Sequence, residues 1–181
     1  VVSTPAFIKH TPPTINDPLR EGKGTVYEGG IREPFIFKWK GKIAENVDSD
    51  QVITTNDLMN TFSALAESNY RTEDGIDATP ALFGDKLPPR KLLMHFPHYT
   101  HQGGYPGGTV HDGNYKLIHW YESDSLELYD VVNDPGETTN IADQNEDLVD
   151  RLHQDLLQWK QSINAREVEL NPEYQQRNIV D

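Results

Sequence analysis

The second half of the chain carries several short apolar runs and then apolar residues spaced as on one face of a helix. Short apolar runs bounded by turn residues predict four strands, at Lys91–Phe96, Thr109–His111, Tyr115–Trp120 and Leu126–Val131. Asp112-Gly113-Asn114 separates the second run from the third. It predicts a tight hairpin, because Asp-Gly accepts the positive φ values of a short turn. We therefore expect a small antiparallel sheet.

A helix is predicted next, from about Asn145 to Ile163. One face of it carries the apolar residues Leu148, Leu152, Leu156, Trp159 and Ile163. Acidic residues at its beginning suit the positive end of the helix dipole. Packed on the sheet, this helix completes a small domain at residues 86–170, and residues 171–181 are expected to form an irregular tail.

Residues 1–85 show a weaker pattern. Residues 1–24 are rich in Pro, Thr and Gly and predict a loop, whereas the apolar run Pro34–Trp39 predicts a buried strand. A helix is expected from about Thr54. Its apolar stripe consists of Leu58, Phe62, Leu65 and Ala66. The fold class predicted for the chain is α/β, in the α+β sense: the remnant of a large α/β layer, then a four-stranded antiparallel sheet with a packed C-terminal helix.

Composition excludes several functions. The 181 residues have a net charge of -13 at pH 7, which disfavours binding of nucleic acid or another polyanion through a broad surface. The chain has no cysteine, so it holds no disulfide, thiolate zinc site or cysteine nucleophile. No run approaches the roughly 20 apolar residues that cross a bilayer.

The segment most informative for function is Gly22–Pro34, which reads GKGTVYEGGIREP. Lys23 stands between two glycines, so the backbone can approach a ligand closely while one ammonium group projects toward it. An arbitrary Gly-Lys-Gly is more often a turn with a solvated lysine. The spacing does not fit a phosphate-binding loop of the Walker type.

The whole string resembles the sulfatase signature Gly-Lys-Gly-Thr, any residue, Tyr-Glu-Gly-Gly, an aliphatic residue, Arg, any residue, Pro. Further matches follow in the family's order along most of the chain. They are Asn16–Arg20, Asp57 with Thr61, Asp74–Asp77, His95–Tyr99, Asp112–Leu117, Leu128–Asp130, Asp134–Glu137 and Asn140–Ala142. The chain thus resembles the C-terminal portion of a type I, formylglycine-dependent sulfatase of the arylsulfatase family, in the alkaline-phosphatase-like superfamily.

This resemblance implies a full-length parent that hydrolyses sulfate esters. In the family, a Cys or Ser oxidised to formylglycine attacks sulfur, and a divalent cation, usually calcium, polarises the sulfate. Lys23 matches the lysine that contacts the sulfate, where it is expected to stabilise charge as the S–O bond breaks. Residues 1–85 would then be the end of the large α/β domain.

The family's nucleophile motif, Cys or Ser-x-Pro-x-Arg, is missing. Ser3–Phe7 begins like it but carries Phe7 where the arginine is required. The family's metal-binding Asp-Asn or Asp-His pair is expected upstream of Val1, so no metal ligand is assigned in this chain. We expect the isolated chain to bind neither calcium nor formylglycine and to be inactive.

His95, His98 and His101 recur at every third position. A zinc site is disfavoured, because Pro97 prevents a helix and extended spacing turns successive rings to opposite sides. His98, and after it His95, are instead candidates to donate hydrogen bonds to a sugar or sulfate at the rim of the substrate cleft. Solvated or structural histidines remain the alternative.

Glu28 and Arg32 are expected to support the Lys23 loop rather than to touch substrate. They flank Gly29-Gly30 and could pair across that bend. The three tryptophans are predicted to lie in the core, since each belongs to an apolar strand or helix stripe. These are Trp39, Trp120 and Trp159.

Two alternatives stay open: a phosphodiesterase or phosphatase of the same superfamily, or a non-catalytic module that binds sulfated glycans. The full signature favours sulfate, and the acidic composition disfavours the binding module. His95–Tyr99 favours a sulfated carbohydrate as substrate. The other partner expected is the N-terminal part of the same polypeptide, with no nucleic acid and no membrane segment.

Two further expectations follow. Without a covering layer, Phe35, Phe37, Leu58 and Phe62 would expose apolar surface and favour self-association. Family members are mostly exported, which predicts a periplasmic or extracellular parent.

Overall fold

The computed structural model of the chain describes residues 15–169. Its contacts divide these residues into two compact units, one formed by residues 34–89 and the other by residues 15–33 together with 90–169. The expected division after residue 85 had joined residues 15–33 to the first domain. The structure joins them to the sheet instead, because Val26 and Tyr27 are buried in its core. Ser3–Phe7 and the tail 171–181 lie outside the described residues.

The predicted antiparallel sheet is confirmed. Its strands are β1 (Lys91–Phe96), β2 (Gly107–Asp112), β3 (Tyr115–Trp120) and β4 (Ser125–Asp130), in the order β1-β2-β3-β4. Asp112 pairs with Tyr115 across the hairpin, and Gly113 has a φ of 60°. The Asp-Gly signal therefore located this turn correctly.

Four helices and one 3-10 turn complete the described chain. They are α1 (Glu28–Ile31), α2 (Asp57–Leu65), α3 (Thr79–Leu82) and α4 (Glu146–Ser162), with the 3-10 turn at Ala142–Gln144. None of the described helices is long and apolar enough to cross a membrane.

Helix α4 covers one face of the sheet, as predicted. The core between them consists of Val110, Leu117, Leu128, Val149, Leu152 and Leu156. The predicted apolar stripe is wrong at its end: Ile163 follows the helix and is half exposed, while Lys160 is buried. The Lys160 Nζ lies 4.3 Å above the Tyr121 ring and donates to Glu167 Oε2 at 2.8 Å.

The opposite face of the sheet is covered by the segment that leads into α1. Successive strand residues point to opposite faces, so Ile118 and Tyr129 lie on the side away from Leu117 and Leu128. There they pack with Val26, Tyr27 and Val131. The Gly22–Pro34 signature therefore begins against the face that α4 leaves free.

In the unit of residues 34–89, helix α2 buries polar side chains. The Asp57 carboxylate accepts hydrogen bonds from the Thr54 and Ile76 amides at 2.7 and 2.9 Å, and Asn60 Nδ2 donates to the carbonyl of Thr72 at 3.0 Å. The helix expected from about Thr54 begins at Asp57, three residues later. The apolar stripe faces outward, with Phe62 53% exposed.

The strand predicted at Pro34–Trp39 is not formed. Among residues 15–169 this segment pairs with no other strand, and an unpaired strand leaves its backbone groups without partners. Ile36 is 92% exposed, and Trp39 is 42% exposed rather than in the core. Trp120 and Trp159 are partly buried and pack against the two core clusters, as predicted.

Candidate functional site

Lys23 lies at the tip of a tight turn. The amide and the hydroxyl of Thr25 both donate to the Gly22 carbonyl, at 3.2 and 3.0 Å, and Gly24 has a φ of 98°. Residues 25–29 are buried, whereas the Lys23 side chain is exposed. The chain thus presents one ammonium group on an anchored backbone.

The two glycines of α1 permit the close packing behind this turn. A Cβ on Gly29 would overlap the Arg20 carbonyl, and one on Gly30 would overlap the Thr25 carbonyl. The Gly29 amide donates to the Arg20 carbonyl at 2.9 Å. Glycine is therefore required here for close backbone approach.

A buried ionic cluster holds Glu28, five residues after Lys23. Lys116 Nζ lies 3.1 Å from Glu28 Oε1 and 2.8 Å from Glu137 Oε1, and both Lys116 and Glu137 are fully buried. The Glu28 amide donates to Glu137 Oε2 at 2.6 Å. His111, the β2 neighbour of Lys116, places Nε2 at 3.3 Å from Glu28 Oε1. Side chain and backbone of Glu28 are both fixed.

Charge in this cluster is distributed unevenly. Burial acts to raise the pKa of Glu28, but the close contact with His111 and the charge of Lys116 outweigh it and lower that pKa to about 2. Burial raises the pKa of Glu137, and Lys116 offsets this only in part. Glu28 is therefore the firmly ionised partner of Lys116.

The expected Glu28–Arg32 pair is wrong. Glu28 turns inward because the Lys116 ammonium group offers it a counter-charge inside the protein, and the Arg32 side chain is exposed. Arg32 meets Glu28 only through its backbone, its amide donating to the Glu28 carbonyl at 2.8 Å.

A second group of side chains braces the same segment. The Arg20 guanidinium lies 3.8 Å from the centre of the Tyr27 ring and donates to the Tyr129 hydroxyl at 3.2 Å and to the Glu137 carbonyl at 3.0 Å. Glu127 Oε2 accepts from Tyr27 and Tyr129 at 3.0 and 2.9 Å. Burial and the Glu127 charge raise the pKa of Tyr129 to about 12, so its hydroxyl stays a donor.

The structure places the β1–β2 loop, residues 97–106, beside the Lys23 turn. The Thr100 hydroxyl donates to the Gly24 carbonyl at 3.0 Å. His98 and His101 belong to this loop and are exposed, and the His98 ring meets Phe96 edge-on with centroids 5.7 Å apart. Two segments singled out from sequence are thus neighbours.

His95 points elsewhere. It shares a strand face with Leu93, which packs toward α4, so it lies on the side of the sheet away from Val26. Its Nδ1 is 2.6 Å from the Tyr121 hydroxyl and its Nε2 is 2.8 Å from the Arg166 carbonyl. The structure does not bring His95 together with Lys23.

An apolar cavity of about 150 Å³ lies behind the turn. It is lined by Gly24, Thr25, Val26, Gly30, Ile31, Met94 and Phe96. Its walls carry no charged side chain, so a sulfate group placed there would lose water without gaining a counter-charge.

A calcium site needs several oxygen donors that converge on one point. In the part of the chain that the structure describes, no three His, Asp or Glu side chains converge to hold a metal. Calcium prefers several carboxylate and amide oxygens, so the described residues do not fit it and none is assigned as a ligand.

Sequence reasoning missed three residues of this region: Thr100, Lys116 and Glu137. Lys116 and Glu137 belong to motifs that were recognised, but burial of an ion pair leaves no signal in a linear pattern. Thr100 lies in a loop whose Gly103-Gly104 pair is a sequence signal for a tight backbone, but that pair does not point to Thr100 itself.

The family to which the region belongs follows from comparison with known proteins. A family model described as N-sulphoglucosamine sulphohydrolase, C-terminal, matches residues 22–162. The chain belongs to this family. As a sulfatase C-terminal region it is 35% identical over 172 residues to a sulfatase of Formosa agariphila, covering 84% of this chain and 31% of that protein. It is also 35% identical over 145 residues to arylsulfatase A of Homo sapiens, covering 68% of this chain and 28% of that protein.

Solved structures agree on the fold of this sulfatase C-terminal region. The crystal structure of Ps i-CgsB matches with a TM-score of 0.67 at 24% identity, over 81% of this chain and 32% of that one. The chain thus spans less than a third of the length of the relatives it matches.

Proposed function

We propose that the full-length protein is a sulfatase that hydrolyses sulfate esters, and that this chain supplies one edge of its active site through Lys23. The observation that carries the proposal is the anchored turn: an exposed lysine on a backbone held by buried contacts, within a sulfatase C-terminal region. Formylglycine and calcium, supplied by the rest of the polypeptide, would provide nucleophile and Lewis acid.

Lys23 would stabilise negative charge on the sulfate oxygens. An ammonium group is a compact charge with three donors, suited to an oxyanion of any orientation. A preorganised charge is most effective where charge develops in the transition state. The buried Glu28–Lys116–Glu137 cluster supports this preorganisation from behind.

The proposed substrate class is a sulfated carbohydrate. The matched family is described by a sulfated amino sugar, N-sulphoglucosamine. In this chain His98 and His101 are exposed on the loop that contacts Gly24, where their ring nitrogens could hydrogen-bond sugar hydroxyls. We also propose that the full-length protein is exported, as the family resemblance predicts.

A comparison of two esters tests the reaction. The full-length protein is expected to hydrolyse an aryl sulfate with a higher kcat/KM than the matching aryl phosphate, and the 181-residue chain alone is expected to turn over neither. Preference for the phosphate would favour a phosphatase of the same superfamily. Sulfate hydrolysis by the isolated chain would show that the nucleophile lies within it.

The 181-residue chain is expected to self-associate when it is separated from the rest of the polypeptide. Phe35 and Phe62 are 39% and 53% exposed, and Phe35 stacks on Phe37 with centroids 6.1 Å apart. Sedimentation velocity of the isolated chain is expected to show a sedimentation coefficient that rises with concentration. Phe35→Ser with Phe62→Ser should reduce this rise, whereas Ile163→Ser, at a single exposed position, should not. A monomer at every concentration would contradict the proposal.

A further inference from the structure

We propose that Thr100 is a positioning residue that fixes the backbone of Lys23 relative to the β1–β2 loop. The inference rests on the proposed role of Lys23 in sulfate ester hydrolysis. Thr100 is not proposed to contact the substrate. Its role is to set the position of the Lys23 backbone.

The Thr100 hydroxyl bridges two loops. It donates to the Gly24 carbonyl at 3.0 Å and accepts from the Gly104 amide at 2.8 Å. The Thr100 backbone closes the same turn, with its amide donating to the Gly104 carbonyl at 2.9 Å and its carbonyl accepting from the Gly103 amide at 3.2 Å. The hydroxyl therefore sits on a closed turn, with both its donor and acceptor capacity in use.

The glycines on both sides show how close the two loops come. A Cβ on Gly104 would overlap the Gly24 carbonyl oxygen. A Cβ on Gly24 would lie 2.9 Å from Thr100 Oγ1 and 2.7 Å from Gln102 Oε1. Since no larger residue fits at either position, the backbone of Gly24 is packed directly against the β1–β2 loop.

This contact acts on Lys23 through its neighbours in the chain. The carbonyl before Lys23, on Gly22, is held by Thr25, and the carbonyl after it, on Gly24, is held by Thr100. Thr25 lies in the signature segment itself, so Thr100 provides the link to a separate part of the chain. Loss of that link frees one side of the turn, and displacement of a catalytic group by about 1 Å can cost about 10²-fold in rate.

Kinetics of the full-length enzyme with an aryl sulfate provide the test. Thr100→Val keeps the shape and removes the hydroxyl, and we expect kcat to fall about tenfold with a smaller change in KM. Thr100→Ser restores the hydroxyl and should recover most of the activity. Thr138→Val, which removes an exposed hydroxyl bonded to Asp134 at 2.9 Å, is the matched control and should leave kcat unchanged.

A double-mutant cycle separates positioning from general support. Because Thr100 acts through Lys23, Thr100→Val should cost little further activity once Lys23 is alanine. If Thr100→Val lowers kcat by a further tenfold in the Lys23→Ala enzyme, the inference is overturned. It is also overturned if Thr100→Val alone has a normal kcat while Lys23→Ala is impaired. Normal kinetics for Lys23→Ala itself would instead overturn the proposed function.

A second variant keeps the test decisive if Thr100→Val unfolds. Gly104→Ala places a methyl group against the Gly24 carbonyl and so separates the β1–β2 loop from it. The Thr100 and Lys23 side chains are unchanged in this variant, but their contact through Gly24 is lost, so kcat should fall in the same way. Normal kcat for a folded Gly104→Ala enzyme, with its thermal midpoint near that of the parent, would reject the positioning role.

Discussion

Replacement of Lys23 by alanine in the full-length protein is expected to lower kcat/KM for a sulfate ester by about 10²–10³-fold. The Lys23 side chain is exposed at the tip of a turn, so its removal leaves the buried contacts of residues 25–29 intact. The midpoint of thermal unfolding should therefore stay unchanged while kcat/KM, measured by steady-state kinetics, falls. The loss should appear mainly in kcat if the ammonium group acts on charge that develops as the S–O bond breaks.

Two companion variants sharpen this result. Lys23→Arg keeps the charge but replaces a compact ammonium by a planar fork, so it should recover only part of the activity. Lys40→Ala removes an exposed lysine outside the signature and should leave kinetics normal. Near-normal turnover for Lys23→Ala would remove this lysine from the active site.

Replacement of Lys116 by methionine is expected to destabilise the sheet unit by about 3–5 kcal/mol. Lys116 is fully buried between Glu28 and Glu137, at 3.1 and 2.8 Å. Without the ammonium group two carboxylates remain in the interior with no strong counter-charge. Urea unfolding of the chain, followed by the fluorescence of Trp120 and Trp159 beside the two core clusters, measures the effect.

The cause can be checked by removing the carboxylates as well. Lys116→Met combined with Glu28→Gln and Glu137→Gln should regain much of the lost stability, because no buried charge is left unpaired. Lys91→Met is the control: it breaks a partly exposed pair with Asp155 and should cost less than about 1 kcal/mol. An equal loss for Lys91→Met and Lys116→Met would show that burial of the pair is irrelevant.

The sheet and α4 were predictable because their signals are local. Strand β3 follows from a short apolar run and the turn at Gly113 from one glycine, and both signals depend on residues adjacent in sequence. The run Pro34–Trp39 has equally good strand composition, yet a strand needs a partner, and composition does not show whether one is present. The strand prediction at Pro34–Trp39 failed because the segment has no pairing partner among the described residues, not because its residue types are unsuitable.

The site was predictable only in part for a related reason. Lys23 was identified because its neighbours form a distinctive string. Thr100 gave no comparable signal, since its role depends on a contact with Gly24, 76 residues away in sequence. His95 was misplaced because a spacing of three residues does not reveal which side of the sheet the first histidine faces.

The Glu28–Glu137 hydrogen bond joins residues 109 positions apart, so its two partners are synthesised at different times. Synthesis at about 5–20 residues per second separates the two ends by roughly 5–20 seconds. Throughout that interval the turn bearing Lys23 has left the peptidyl-transfer centre while its buried anchor does not yet exist. The segment that bears Lys23 is thus made well before the carboxylate that holds it.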